Sequence, residues 1–149
     1  MRGYKLGAPY SAFIATAYEN KQEAEDLSII LFHDAHITST STWHMYNPPT
    51  EITSFVLARA AEQDIRDIKV CDEFLLLWHP KLRGALVELG LAIEYQKYIT
   101  LLDFPEEMFD PSRACAYYHH PYVKHMTTCD YLDGKMTWKG GDNGCQTQR

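Results

Sequence analysis

The chain has 149 residues, of which 46% are hydrophobic and 23% charged, and its formal net charge is −6. This composition is typical of one globular domain, and an acidic chain without a basic run argues against a nucleic acid polymer as partner. No apolar run reaches the roughly 18 residues of a membrane span, and residues 1–15 lack the apolar core of a signal peptide. We therefore expect a cytoplasmic protein with no membrane partner.

The predicted elements alternate between strand and helix in chain order. Apolar or β-branched runs predict strands over 11–17, 35–43, 70–79 and 98–104, and helical periodicity predicts helices over 18–34, 54–70 and 84–97. Thr50 or Ser54 is the expected N-cap of the second helix, after a loop that contains Pro48 and Pro49. Beyond these elements, residues 116–123 are a candidate fifth strand, and residues 124–138 are predicted as a short helix or irregular chain.

This alternation predicts a doubly wound α/β fold of the flavodoxin or Rossmann type. We expect an open sheet of four to five mainly parallel strands with helices on both faces. A single domain is predicted, with its core over about 11–126 and a flexible polar tail over 139–149. In such sheets, ligands bind at the carboxyl ends of the strands.

Cysteine and histidine residues do not predict a metal site. The spacings of the four cysteines match no common zinc pattern, and reduced thiols are expected in the cytoplasm. In the run "CAYYHHPYVKH", His119 and His120 point to opposite sides if the segment is a strand. We therefore predict no metal and no cofactor.

One carboxylate lies in the middle of an otherwise apolar helix. In "RGALVELGLAIEYQK", Glu88 has the small residues Gly84, Ala85 and Ala92 at helical spacing, which predicts an open groove beside it. Burial of an unpaired carboxylate costs several kcal/mol or raises its pKa. Glu88 is therefore a candidate nucleophile or general base, while a surface or ion-paired glutamate is the alternative.

The segment from Ala61 to Leu102 resembles the signature of the nucleoside 2-deoxyribosyltransferase superfamily. The matching residues, in order, are Asp64, Ile68, Cys71-Asp72, Gly84, Glu88-Leu89-Gly90, Ala92 and Lys97-Tyr98-Ile99. The resemblance extends more weakly over residues 11–104. It implies that Glu88 attacks the anomeric carbon of a deoxyribose and that Asp64 contacts the base or sugar. It also implies a homo-oligomer.

The chain departs from that family at three places. The loop at 15–20 after the first strand has no glycine, Leu82 replaces a carboxylate usual in the transferases, and Arg83 replaces a serine frequent in the phosphate-dependent hydrolases. Arg83 and Lys81 are candidate contacts to a 5'-phosphate, or they are ordinary loop residues. Leu82 favours a hydrolase slightly over a transferase.

The predicted activity is cleavage or exchange of the N-glycosidic bond of a 2'-deoxynucleoside or its 5'-monophosphate. The partner is therefore a small nucleoside or nucleotide, and the alternative is a non-catalytic nucleotide-binding module of the same fold. Asn20, His44 and Tyr46 are weaker candidates, and Asp72 is expected to bind backbone amides at the start of a strand. The predicted substrate-binding residues are Thr16, Ala17, Tyr18, Trp43, His79, Lys81, Arg83 and Gly84.

Overall fold

Five short strands form one all-parallel sheet in the order β2-β1-β3-β4-β5. The structure, a computed structural model, describes residues 10–45, 51–113 and 115–136. The strands are β1 (Ser11–Ala15), β2 (Thr38–Ser39), β3 (Glu73–Leu77), β4 (Tyr98–Leu102) and β5 (Val123–Met126). The central strand β3 is buried along its whole length, as expected for a parallel strand covered on both faces.

Helices cover both faces of this sheet. They are α1 (Lys21–Ala35), α2 (Ser54–Val70), α3 (Gly84–Glu94) and α4 (Thr128–Met136). Alternate residues of β1 and β3 pack with α1 and α4 on one face, and the intervening residues pack with α2 and α3 on the other. The predicted doubly wound α/β fold is confirmed.

The order in which successive strands are added to the sheet reverses between β1 and β3. The chain leaves β1 for α1 on one face and leaves β3 for α3 on the opposite face. Loops that diverge in this way open a crevice at the carboxyl ends of the two strands, which is where ligands bind in doubly wound sheets. The start of α3, and with it Glu88, lies at this edge of the sheet.

The second strand is much shorter than the sequence predicts. Only Thr38 and Ser39 pair as a strand, and the chain then leaves the sheet for a short 3₁₀ helix over Trp43–Met45. The hydroxyl of Ser41 accepts a hydrogen bond of 3.1 Å from the backbone amide of Ile14, so a side chain replaces the next bond of the ladder. Because this side-chain bond ends the backbone pairing, the chain turns toward α2 earlier than a nine-residue strand would.

Two other predicted boundaries are wrong. Residues 116–119 form a 3₁₀ helix, and the fifth strand lies further along at Val123–Met126. The N-cap of α2 is Thr53, whose hydroxyl accepts a hydrogen bond of 3.3 Å from the amide of Val56. The candidate Thr50 and the tail at 139–149 lie outside the described residues.

Cys71 and Cys115 are free thiols, as expected, but Cys129 is disulfide-bonded, so the expectation of reduced cysteines is wrong there.

Asp72 accepts hydrogen bonds from the amide and hydroxyl of Ser11 at 2.9 and 3.2 Å, which confirms its predicted role at a strand start. Within the described part of the chain, no helix is long and apolar enough to span a membrane.

Candidate active site

Glu88 occupies the second turn of α3 with one oxygen sealed from solvent. Its Oε2 atom is buried and has no hydrogen-bond partner among the described residues. Buried carboxylate oxygens are normally paired, because an unpaired one costs the free energy of its lost hydration. An unmet acceptor at the carboxyl edge of the sheet is the arrangement expected of a group whose partner arrives with a ligand.

The predicted groove beside Glu88 is present on one side only. A methyl group placed on Gly84 would meet no atom within 4 Å, so the space there is open. Ala85 and Ala92 instead pack in the core beneath α3, with 3% and 0% of their surface exposed. Their small size allows α3 to lie close to the sheet, and the prediction that they flank an open groove is wrong.

Two aspartates on α2 complete an acidic group with Glu88. Asp64 and Asp67 are three residues apart and therefore share one side of the helix. Asp64 is partly buried, and Asp67 is 8% exposed. Among the described residues, no lysine or arginine forms an ion pair with any of these three carboxylates, so the acidic group, defined as Glu88, Asp64 and Asp67, carries excess negative charge.

Burial and mutual repulsion raise the pKa values of two of these carboxyls well above their ordinary values. Burial, with the charge of Asp64 as a smaller cause, raises the pKa of Glu88 to about 8. Burial, with the charge of Asp67 as a smaller cause, raises the pKa of Asp64 to about 6. At neutral pH, therefore, Glu88 holds a proton in the free protein and Asp64 is mostly ionised.

These two pKa values predict that the protein loses stability as pH rises. Both carboxyls ionise at higher pH when folded than when unfolded, so their contribution is complete below about pH 4 and lost up to about pH 8. The variant Glu88→Gln has no titrating group at position 88, so it does not show that part of the loss of stability. We expect its free energy of unfolding, relative to wild type, to rise by at least about 1 kcal/mol from pH 5 to pH 8.

Urea unfolding of both proteins at intervals of one pH unit measures this difference. Glu94→Gln, at an exposed position near the end of the same helix, is the control and should show no trend. A difference between Glu88→Gln and wild type that is the same at pH 5 and pH 8 would contradict the assignment of a raised pKa to Glu88.

The loop after β1 is occupied by its own hydrogen bonds. The hydroxyl of Thr16 donates to the carbonyl of Leu77 at 3.1 Å and accepts from the side-chain amide of Asn20 at 3.1 Å. Ala17 is buried, whereas Tyr18 is 60% exposed. This loop thus ties β1 to β3 across the crevice, and Tyr18 is its most accessible predicted ligand contact.

The loop after β2 contributes one partly exposed aromatic residue. The indole N–H of Trp43 donates to the carbonyl of Ile14 at 2.8 Å, which fixes the ring against β1. His44 is fully buried and its Nε2 lies 3.2 Å from the Ser41 hydroxyl, so the prediction that it stacks on a base is wrong. Burial lowers the pKa of His44, which keeps it neutral. Tyr46 lies outside the described residues.

The loop between β3 and α3 places positive charge at the start of α3. The Nδ1 atom of His79 accepts a hydrogen bond of 3.1 Å from the amide of Lys81. Lys81 and Arg83 are exposed, and their side chains have no ion pair or hydrogen bond with any described residue. In the described part of the chain, no side chain caps α3, and its first turn contains no acidic residue. Free cations and uncapped amides together suit an anionic group.

The opposite side of the same edge is acidic instead. A cleft of about 400 Å³ lies between α1 and α4, and its lining includes Glu23, Asp26 and Asp103 together with Trp78. It includes no residue of α2 or α3, so this cleft is separate from Glu88. Three carboxylates would repel a phosphate, which leaves the start of α3 as the better position for one. No three or more His, Cys, Asp or Glu side chains are placed to hold a metal ion within the described residues.

Among solved structures, the fold is similar to the CMP N-glycosidase BcmB of Clostridium botulinum. The match has a TM-score of 0.52 and 17% sequence identity, and it covers 88% of this chain and 99% of that one. The match supports the doubly wound fold of this chain. A conserved protein from Enterococcus faecalis V583 matches with a TM-score of 0.49 and 14% identity over 88% of each chain.

No protein-family model matches the sequence, and no curated protein matches it significantly. The similarity to a known protein is thus detected through the fold and not through the sequence. One member of the acidic group, Asp67, is missed by reasoning from the sequence. Its position three residues after Asp64 was the available signal, but helical spacing alone does not distinguish a buried carboxylate from a solvated one.

Proposed function

We propose that this protein cleaves the N-glycosidic bond of a 2'-deoxynucleoside or its 5'-monophosphate, with Glu88 as the nucleophile. The observation that carries the proposal is the buried, unpartnered Oε2 of Glu88 beside Asp64, at the carboxyl edge of the sheet. The similarity of fold to a CMP N-glycosidase supports the reaction class. An excess of negative charge suits this chemistry, because the transition state of glycosidic cleavage resembles an oxocarbenium cation.

The raised pKa values suggest how a proton is handled in this reaction. Glu88 gives up its proton to Asp64 as the cationic transition state develops, and a Glu88 oxygen forms a bond to C1' of the sugar. The C1'–N bond breaks, its electron pair stays with the base, and Asp64 donates the proton to the base. Water then attacks C1' as the bond between C1' and the Glu88 oxygen breaks, and Asp64 accepts a proton from that water. The proton passes back to Glu88 as the sugar leaves, which restores the free protein.

Incubation with each deoxynucleoside and deoxynucleoside 5'-monophosphate tests the proposal, with free base and free sugar measured by chromatography. Hydrolysis yields equal amounts of base and sugar, and transfer to a second added base yields a new nucleoside instead. Leu82, in place of a transferase carboxylate, leads us to expect hydrolysis. Absence of base release from every substrate in the panel would refute the proposed activity.

The cations at the start of α3 support a 5'-monophosphate as the better substrate. We expect Arg83→Ala to raise KM for the monophosphate by roughly 10- to 100-fold, the effect of one or two charge-assisted hydrogen bonds. KM for the unphosphorylated nucleoside should stay the same. Initial rates with both substrates measure this, with Arg113→Ala, an exposed arginine on another loop, as control. Equal changes of the two KM values would show that Arg83 does not bind the phosphate.

A nucleotide-binding module without catalysis is the second candidate. The closed first loop favours it, since the Thr16 side chain and buried Ala17 occupy the place where glycine would let a ligand approach the backbone. Ligands that raise the melting temperature yet remain intact after hours of incubation would support binding alone. Release of base by wild type would exclude it.

Several exposed apolar side chains on α2 and α3 support the proposed homo-oligomer. Phe55, Leu57 and Val70 of α2 are 72%, 60% and 69% exposed, and Val87 of α3 is 69% exposed. A large exposed apolar surface is typical of a protein contact. Sedimentation velocity at micromolar concentration measures the assembly state, and a monomer there would refute the proposal.

A further inference from the structure

The carboxylate of Asp67 is buried, so it is not a surface charge that serves solubility. Near the end of α2, Asp67 and Ile68 are the only buried residues of the helix, and Asp67 is 8% exposed. Charged side chains are rarely buried unless they are paired. Among the described residues Asp67 has no cationic partner, and its two oxygens are held by neutral donors instead.

These donors come from two different parts of the fold. The side-chain amide of Gln63 donates to Oδ1 of Asp67 at 2.7 Å, one turn earlier on α2. The hydroxyl of Thr42 donates to Oδ2 across a long bond of 3.5 Å, from the loop that follows β2. Thr42 immediately precedes Trp43, whose indole is bonded to β1. Asp67 therefore joins the helix that carries Asp64 to the loop that carries Trp43.

The charge of Asp67 also acts on Asp64 and raises its pKa, as a smaller cause than burial. The two carboxylates share one side of α2, and Glu88 of α3 faces Asp64 from the adjacent helix. Arg66 donates to the Oε1 atom of Gln63 at 2.9 Å, so the side-chain amide that donates to Asp67 lies between the Arg66 guanidinium and the Asp67 carboxylate. The loop after β2 contributes a hydroxyl but no charged group bonded to Asp67.

We propose that Asp67 is a positioning residue of the active site, which holds the Trp43 loop against α2 and places a second carboxylate on the side of that helix that carries Asp64. The inference rests on the proposed function for its meaning in catalysis. The two structural features it uses, a carboxylate on the same side of α2 as Asp64 and a hydrogen bond to Thr42, do not depend on any substrate. Asp67 itself does not touch the substrate, because its oxygens are engaged and its side chain is buried.

Two variants separate the charge of Asp67 from its hydrogen bond. Asp67→Asn removes the charge and keeps one acceptor oxygen, which can receive the bond from Thr42 while the bond from Gln63 is lost. Thr42→Val removes the hydroxyl and leaves the charge. We expect Asp67→Asn to move the titration of Asp64 to lower pH by roughly half a pH unit or more, as for a like charge about one turn away. Thr42→Val should leave that titration within about a tenth of a unit, since the charge remains.

Carboxyl carbon-13 NMR titration of the free protein measures this and needs no activity. An Asp64 titration that is the same in Asp67→Asn and wild type would overturn the proposal, whether or not the protein is an enzyme. With a cleaved substrate, Asp67→Asn should also shift the acidic limb of the pH–rate profile. Thr42→Val should raise KM by roughly two- to tenfold, the effect of one lost hydrogen bond, and leave that limb unmoved. If wild type releases no base, the proposed function fails and the titration still decides the role of Asp67.

Should Asp67→Asn fail to fold, Asp67→Glu keeps the charge and serves as the second variant. It is expected to keep the Asp64 titration close to that of wild type while it weakens the contact with Thr42. A titration shifted to lower pH in Asp67→Glu as well would show that geometry, and not charge, controls Asp64, and would overturn the electrostatic part of the proposal.

Discussion

Replacement of Glu88 by alanine is expected to lower kcat/KM for base release by at least roughly a thousand-fold, the usual scale for loss of a nucleophile. The same change should leave the protein folded, and at pH 8 it should be at least as stable as wild type. The reason is that Glu88 is the one carboxyl here whose buried oxygen has no partner in the described structure, so its removal relieves an unmet charge. Loss of activity with retained stability is typical of a functional residue and not of a core residue.

Three measurements make this expectation specific. Circular dichroism and the melting temperature establish that the variant is folded, and chromatography of released base gives the rate. Glu94→Ala on the exposed side of α3 is the matched control and should keep wild-type activity. Formate added to Glu88→Ala should restore part of the rate, because it supplies the missing carboxylate. Equal base release by wild type and Glu88→Ala would refute the role of Glu88 as nucleophile.

The fold could be predicted from the sequence because its central elements carry strong local signals. The run "FLLLW" after Glu73 predicts a strand buried on both faces, and the predicted bounds of α2, 54–70, match the observed helix. The ends of the sheet were predicted poorly. β2 has only two residues and β5 alternates weakly, with exposed Lys124 and His125 between partly buried neighbours. Such short edge strands depend on their neighbours more than on their own composition.

The site could be predicted only in part, for a related reason. A single carboxylate within an apolar helix identifies Glu88, since that conflict is visible in the sequence itself. Burial of Asp67 and of His44 depends on where the loop after β2 turns. That position is set by two hydrogen bonds of the loop, from β1 to the Ser41 hydroxyl and from the Thr42 hydroxyl to α2. Contacts between segments about 25 residues apart leave no periodic trace, so these two positions could not be assigned from spacing.

The same limit hid a second buried carboxylate, Glu73, at the opposite end of the sheet. Its Oε2 atom accepts hydrogen bonds from the hydroxyls of Tyr10 and Tyr131 at 2.9 and 2.8 Å. Its Oε1 atom accepts from Thr100 at 3.2 Å, and Lys135 lies 3.4 Å from Oε2. These donors come from before β1, from β4 and from α4, so Glu73 connects three separate segments. In contrast to Glu88, its polar atoms are all satisfied, which marks Glu73 as structural.

Replacement of Glu73 by alanine is therefore expected to destabilise the protein by about 3 kcal/mol, since it leaves buried hydroxyls and a half-buried ammonium without their acceptor. For a chain of this length that corresponds to a fall in melting temperature of roughly 10 °C. Asp130→Ala, an exposed carboxylate on α4, is the control and should cost less than about 1 kcal/mol.

Urea unfolding gives the free energies, and base release at a temperature where both proteins are folded gives the activity. Glu73→Ala should keep its specific activity there, because Glu73 lies at the amino ends of the strands and Glu88 at the carboxyl ends. A stable but inactive Glu73→Ala would reverse the assignment of the two carboxylates. A loss of stability with activity retained would show that one buried glutamate holds α4 to the sheet while the other is kept unpaired for a ligand.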